Sequence, residues 1–254
     1  MRYFLTALIL LLTVPAMFAQ ESENDSKSGY TIPYFYGFYG YQWPGGDLKI
    51  QFGSNSTVGG GFSVKTKSNL IFGAEYDFIF GNDVKNTREI FKNLFNSDGN
   101  IISGDGTPAV VATFERGNLI GAKFGKLIPV LKNNRNSGIF FTVGGGYMMH
   151  KIRIEVENES APQLKGDYKR GYDRLSGGIM LSQALGFMFI SPSGLANFTL
   201  SVEAFEGWNK PYRDYYFDTM APVPEGRQFD FLLGPKVSWI IPIRGRNIGK
   251  YYYY

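Results

Sequence analysis

The chain has 254 residues with a formal charge of +4, no cysteine, 17% aromatic residues and 32 glycines. Without cysteine it carries no disulfide staple and no lipid on a cysteine thiol. The near-even charge balance argues against nucleic acid as a partner.

The N-terminus reads as a secretory leader over residues 1–19. Arg2 provides the basic start, Leu5–Val14 the apolar core, and Ala16-Met17-Phe18-Ala19 the small-residue cleavage site. The apolar stretch is short of the ~20 residues that a spanning helix needs, and no later segment approaches that length. Residues 20–29 form a polar, acidic linker without an apolar pattern, so disorder is expected there.

From Tyr30 to Ile243 one pattern recurs about eight times. Each time, a strand-length run carries large apolar residues on one face and Gly, Ser or charge on the other. The predicted strands are Tyr30–Gln42, Thr57–Lys67, Leu70–Phe80, Phe114–Val130, Gly138–Ile152, Leu175–Ile190, Leu195–Gly207 and Phe229–Ile243. The first, aromatic on both faces, has no readable register. In Leu70–Phe80 the apolar face is Leu70, Phe72, Ala74, Tyr76, Phe78 and Phe80, leaving Glu75 and Asp77 opposite. In Leu195–Gly207 it is Phe198, Leu200, Val202 and Ala204, leaving Glu203 opposite. In Phe229–Ile243 it is Phe231, Leu233, Val237, Trp239 and Ile241, leaving Asp230, Lys236 and Ser238 opposite. A bulky face around a small, polar one inverts the plan of a soluble protein. It fits a barrel whose outside meets lipid and whose inside is narrow. A soluble lipocalin-like barrel is the structural rival, but it would need long charged side chains on one face of every strand.

Connections alternate in length. Lys67-Ser68-Asn69, Leu131–Ser137 and Ser191–Gly194 are short turns; Trp43–Ser56, Gly81–Thr113, Arg153–Arg174 and Trp208–Gln228 are long loops. The fold class is therefore all-β: an eight-stranded antiparallel up-and-down transmembrane β-barrel with short periplasmic turns and long outer loops. It spans residues 30–243, and residues 244–254 form a tail.

Several residue groups invite a chemical reading. Lys123 should lie one strand from Glu75 and Asp77, and Lys236 one strand from Glu203. These five are expected to form a paired lumen charge network, because charges in a closed lumen are costly unless paired. Its functional reading is a proton or ion path, and its structural reading is lumen closure. His150, the single histidine, falls at the outer end of the fifth strand. Catalysis there would need a positioned base and orienter. The runs Gly59-Gly60-Gly61 and Gly144-Gly145-Gly146 precede no helix and no Lys-Ser/Thr, so they do not read as phosphate loops. Asp98-Gly99-Asn100 and Asp105-Gly106 lack the spacing of a calcium loop and read as turns. No metal or cofactor is expected. The tail, with Arg244, Arg246, Lys250, Tyr251, Tyr252, Tyr253 and Tyr254, admits three readings: a displaced assembly signal, a docking peptide for a periplasmic partner, or a disordered end.

Phe18-Ala19-Gln20, Tyr36-Gly37-Phe38-Tyr39, Gly46-Asp47-Leu48 and Trp239–Pro242 together resemble the small outer-membrane β-barrel proteins of Gram-negative, Bacteroidetes-type bacteria. The resemblance covers residues 1–243 as architecture, and the extended tail departs from the usual C-terminal aromatic signal. It implies location in the cell outer membrane, contact with outer-membrane lipid and lipopolysaccharide, and handling by the barrel-assembly machinery. It implies a non-enzymatic structural or interaction role through the outer loops or the tail. The alternatives are an accessory barrel of a type IX secretion or gliding assembly, with a periplasmic or secretion-system protein partner, and a lipid A-modifying enzyme using His150. Transport is disfavoured, because eight strands leave no aqueous channel.

Overall fold

The computed structural model describes residues 31–132, 134–157, 161–191, 197–223 and 225–243. The leader, the linker and the tail lie outside them. The strands are β1 (Ile32–Gly46), β2 (Asn55–Lys65), β3 (Leu70–Gly81), β4 (Val111–Leu131), β5 (Asn134–Val156), β6 (Ser176–Ile190), β7 (Asn197–Pro211), the short pair β8 (Tyr215–Tyr216) and β9 (Ala221–Pro222), and β10 (Gln228–Pro242). The eight long strands close antiparallel in the order β1-β10-β7-β6-β5-β4-β3-β2. No described helix is long and apolar enough to cross a membrane.

The register sets the shape of the barrel. One row of paired residues leaves β1 at Phe35, passes Ala74, Gly145 and Glu206, and returns to β1 at Gly45, ten residues further along. That stagger on eight strands tilts them by about 40° and leaves an interior just wide enough for side chains.

The alternation of faces is as expected. β1 also gains a register: Ile32, Tyr34, Tyr36 and Phe38 are buried inward, while Phe35, Tyr39, Tyr41 and Trp43 point outward. Aromatics fit on both of its faces because β2 sets glycine opposite Tyr36 and Phe38. A Cβ at Gly59 would stand 2.5 Å from the Phe38 ring, and one at Gly61 2.3 Å from the Tyr36 hydroxyl. The glycine run is thus a recess for two rings.

A short turn joins β2 to β3. Asn69 takes a positive φ of 62°, and its amide donates to the Thr66 carbonyl at 3.0 Å. At the opposite end the long connections are folded structure. β4 and β5 run past the expected limits, pairing as far as Val111 with Val156. The two strands continue because inward Ile152 and Ile154 are buried in a core that the loops themselves supply. β7 continues to Pro211, past the expected end at Gly207, because Asn209 pairs with Gln228 and donates to Asp230 of β10 while Pro211 pairs with Ser176 of β6.

Two apolar layers fill the interior. The layer at the short-turn end contains Tyr34, Tyr36, Ile71, Leu127, Phe140, Met188 and Ile240. The layer at the long-loop end contains Phe52, Ile79, Phe91, Leu119, Met148, Ile152, Leu164, Tyr172, Phe205 and Leu232. Outside, Trp239 pairs with Phe198 near one end of β7, and Phe229 pairs with Trp208 near the other. The intervening outward residues of β7 include Leu200 and Val202, each more than half exposed.

Candidate functional site: the closed lumen and the loop cap

β3, β4, β7 and β10 each send a charged side chain inward between the two apolar layers. Lys123 Nζ stands 2.7 Å from Glu75 Oε2. Lys236 Nζ lies 2.8 Å from Glu203, 3.0 Å from Glu75 and 3.4 Å from Asp77. The sequence placed Lys123 with β3 and Lys236 with β7. The geometry adds the bond from Lys236 across the lumen to β3, which joins the five residues into one cluster. Tyr36 donates its hydroxyl to Glu75 at 2.9 Å. Lys236 sits over the Phe38 ring at 3.6 Å and Lys123 over the Tyr36 ring at 4.6 Å, so the aromatic face of β1 covers both cations. The space beside the cluster, lined by Tyr34, Lys123, Glu203 and Ser238 among others, is about 20 Å³, room for about one water.

Above the cluster lies a second polar group. His150 Nε2 is 2.8 Å from Asp230 Oδ2, and Asn209 Nδ2 donates to the same oxygen at 2.5 Å. Asn55 Nδ2 donates to both carboxylate oxygens of Glu115, at 3.1 and 3.0 Å. All five are buried. Phe52 meets the imidazole edge-on at 5.8 Å. The sequence placed His150 at the outer strand end; it lies inward, beneath this ring. Its Nε2 is committed to Asp230, and its Nδ1 makes no hydrogen bond within the protein. A group sealed in this way has no route to a lipid substrate. Glu115 was legible, since it is in phase with inward Leu119 and Lys123. Asn209 was not, because it falls past the expected end of β7, and nothing in the pattern marks Phe52 as a lid.

The loops close the mouth as a single cap. A short helix, α1 (Leu48–Gln51), lowers Leu48 and then Phe52 into the opening. A second, α2 (Thr87–Ile90), buries Ile90 beside Phe91. Phe91 meets Tyr172 at a tilt and Tyr172 meets Phe217 edge-on, 5.6 and 5.5 Å between centroids. Polar bonds stitch one loop to the next. Asn93 donates to the carbonyls of Phe217 and Asp218 at 2.8 and 3.0 Å. Gln163 donates to the Ile102 carbonyl at 2.7 Å. Arg213 grips Asp173 through two nitrogens, at 2.8 and 2.5 Å, and Arg174 pairs with Asp218. That bond to Asp173, with its charge, raises the Arg213 guanidinium above its ordinary pKa.

The Asp98 and Asp105 segments are turns. Asn96 Oδ1 accepts the Asp98 and Asn100 amides. Asp105 accepts from the Ser103 hydroxyl and from the Thr107 amide and hydroxyl, and these bonds hold its carboxyl down to about 2.

On its outer side the cap is not polar throughout. Tyr168, Tyr215 and Met220 are 63%, 40% and 64% exposed. With Pro162, Tyr172 and Phe217 they line an open cleft of about 620 Å³. Composition alone did not mark this cleft, because its residues come from two loops. Arg244, Arg246, Lys250 and Tyr251, Tyr252, Tyr253 and Tyr254, the expected docking tail, lie outside the described residues.

These features define an eight-stranded, antiparallel, up-and-down β-barrel with a filled lumen. Among solved structures the chain is similar to three small outer-membrane barrels. One is Neisserial surface protein A, at 12% identity and TM-score 0.40, covering 81% of this chain and 95% of that one. A second is Ail, the attachment invasion locus protein of Yersinia pestis, at 8% identity and TM-score 0.39, covering 83% and 100%. The third is the outer membrane protein OprG from Pseudomonas aeruginosa, at 10% identity and TM-score 0.30, covering 84% and 97%. No protein-family model and no curated protein matches the chain.

Proposed function

We propose that this chain is a non-enzymatic barrel of the cell outer membrane whose loop cap is an interaction surface facing the outside. The membrane part rests on the outer face of the barrel. Phe198 and Trp208, ten residues apart on β7, rise by about 25 Å at the tilt of such a barrel, the height of a transmembrane apolar band. Lipid and lipopolysaccharide then surround the barrel, and the assembly machinery inserts it. The Bacteroidetes-type lineage rests on sequence resemblance and is proposed with the rest.

The observation that carries the interaction role is the cap cleft. Three large apolar side chains, Tyr168, Tyr215 and Met220, are exposed together on a scaffold whose loops are otherwise bonded to one another. Exposed aromatic and Met clusters on a rigid base are typical contact sites. The filled lumen speaks against transport, and the sealed imidazole of His150 against lipid A modification. The alternative, a secretion-assembly role, rests on the basic, tyrosine-rich tail, which lies outside the described residues.

The test is a photoreactive phenylalanine in place of Tyr168 in the full chain, irradiated in intact cells. A covalent adduct that disappears when Tyr215 and Met220 are changed to Ser is the expected result. A surface-accessible residue 168 that forms no adduct overturns the role of the cap.

A further inference from the structure

Two carboxylates point outward from the long strands. Glu155, near the outer end of β5, is neutralised by Arg153 at 2.7 Å. Glu206 is different. It lies one outward position below Trp208 on β7, inside the apolar band, with Leu181 and Phe231 as its register neighbours. It does not reach up toward water. Its Oε1 accepts from Gln183 Nε2 at 3.4 Å, and Gln183 sits a register row deeper, paired with Ala204. Lipid offers neither group a partner, and a charge facing hydrocarbon is costly. A 3.4 Å bond is at the long limit, and it leaves the amide's second N–H and the carboxylate's second oxygen to be met.

We propose that this face of β6 and β7 is covered in the membrane by a second copy of the same chain, joined through reciprocal Gln183–Glu206 hydrogen bonds. The inference rests on the membrane-barrel reading above. The two residues are rooted a register row apart, but their hydrogen bond brings a donor beside an acceptor at the side-chain tips. A two-fold axis along the membrane normal therefore sets Gln183 of each copy against Glu206 of the other, and the two carboxylates are never opposed. The bonds formed are charge-assisted and shielded from water. Ala204, between the two polar residues, and Gly145, beside Leu181, keep the surface low enough for strands to approach. A partner of other chemistry would need only one half of this arrangement; the paired donor and acceptor suit a copy of itself.

The cysteine-free sequence makes the test direct. Ala204→Cys and Ala74→Cys variants of the full chain are placed in phosphatidylcholine vesicles and treated with a short bismaleimide. Ala74 is also outward and exposed, and sits on the far side of the barrel. Covalent dimer several-fold above the Ala74→Cys level is expected at Ala204→Cys, with the excess lost when Glu206→Leu or Gln183→Leu is added. Equal yields at the two positions overturn the inference, as does an excess that survives both leucine changes. An Ala204→Cys adduct of a different protein in native membranes also overturns the second copy as occupant. Heat-modifiable migration on gels reports insertion separately. An inserted barrel with equal yields removes only this inference, whereas a chain that never inserts removes the membrane reading with it.

Discussion

Lysine and glutamate serve the two faces of this barrel in opposite ways. Inside, two cations and three carboxylates converge within hydrogen-bond distance of one another, roofed by aromatic rings. On the outer face the band between the girdles is apolar, and its one carboxylate, Glu206, leans on a neutral amide. A closed lumen tolerates charge because a counter-charge is always a few ångströms away across the bore. The outer face has no opposite wall, so a charge there is met only by what another molecule brings.

That contrast can be broken at several points, starting with the strongest. Lys236→Met removes the cation shared by Glu75, Asp77 and Glu203. Stranding buried carboxylates should cost about 3–5 kcal/mol, read from urea unfolding in lipid vesicles. Adding Glu203→Gln and Glu75→Gln should return part of the loss; no recovery would mean that the cluster does not act as one unit. Phe52→Ala should cost about 3 kcal/mol through the cavity that it leaves. It should also expose His150 to diethylpyrocarbonate, with the wild-type ring unreactive. Outside, the sign reverses. Glu206→Leu, measured at low protein-to-lipid ratio where copies are apart, should raise stability by about 1 kcal/mol, and a clear loss would contradict the lipid-facing placement. The smallest effect is local. The Asp105 carboxyl is held at about 2, below its usual 3.8, first by the Ser103 hydroxyl. A depressed value means that the turn's stabilisation is complete above pH 4 and is lost as pH falls through 2. The side-chain carbon shift of Asp105 should titrate near pH 2, and at a higher pH, still below the usual 3.8, in Ser103→Ala, where the Thr107 amide and hydroxyl go on donating.

Much of this was legible along the chain, and the reasons differ from strand to strand. β3, β7 and β10 declare their faces because side-chain period is two and lipid demands an unbroken apolar row. Their charged inward residues follow from the same count, and Glu115 could have been found by extending it back from Leu119. The first strand resisted, since it is aromatic on both faces. Its register is decided by the glycines of β2, residues that no local pattern connects to it. The ends of β4, β5 and β7 resisted for another reason: Ile152, Ile154 and Asn209 keep their strands going only because the loops or β10 give them something to pack or bond against.

The sequence by itself determined that the chain forms eight amphipathic strands with alternately short and long connections, and hence a barrel turned apolar side out. It did so because alternation and turn chemistry are local properties. Tertiary structure alone decided that Lys236 crosses the lumen to β3, that His150 is sealed beneath Phe52, and that four loops share one apolar core. Each of those contacts joins residues whose separation along the chain carries no signal, and they meet only because closure at a stagger of ten residues brings their strands face to face.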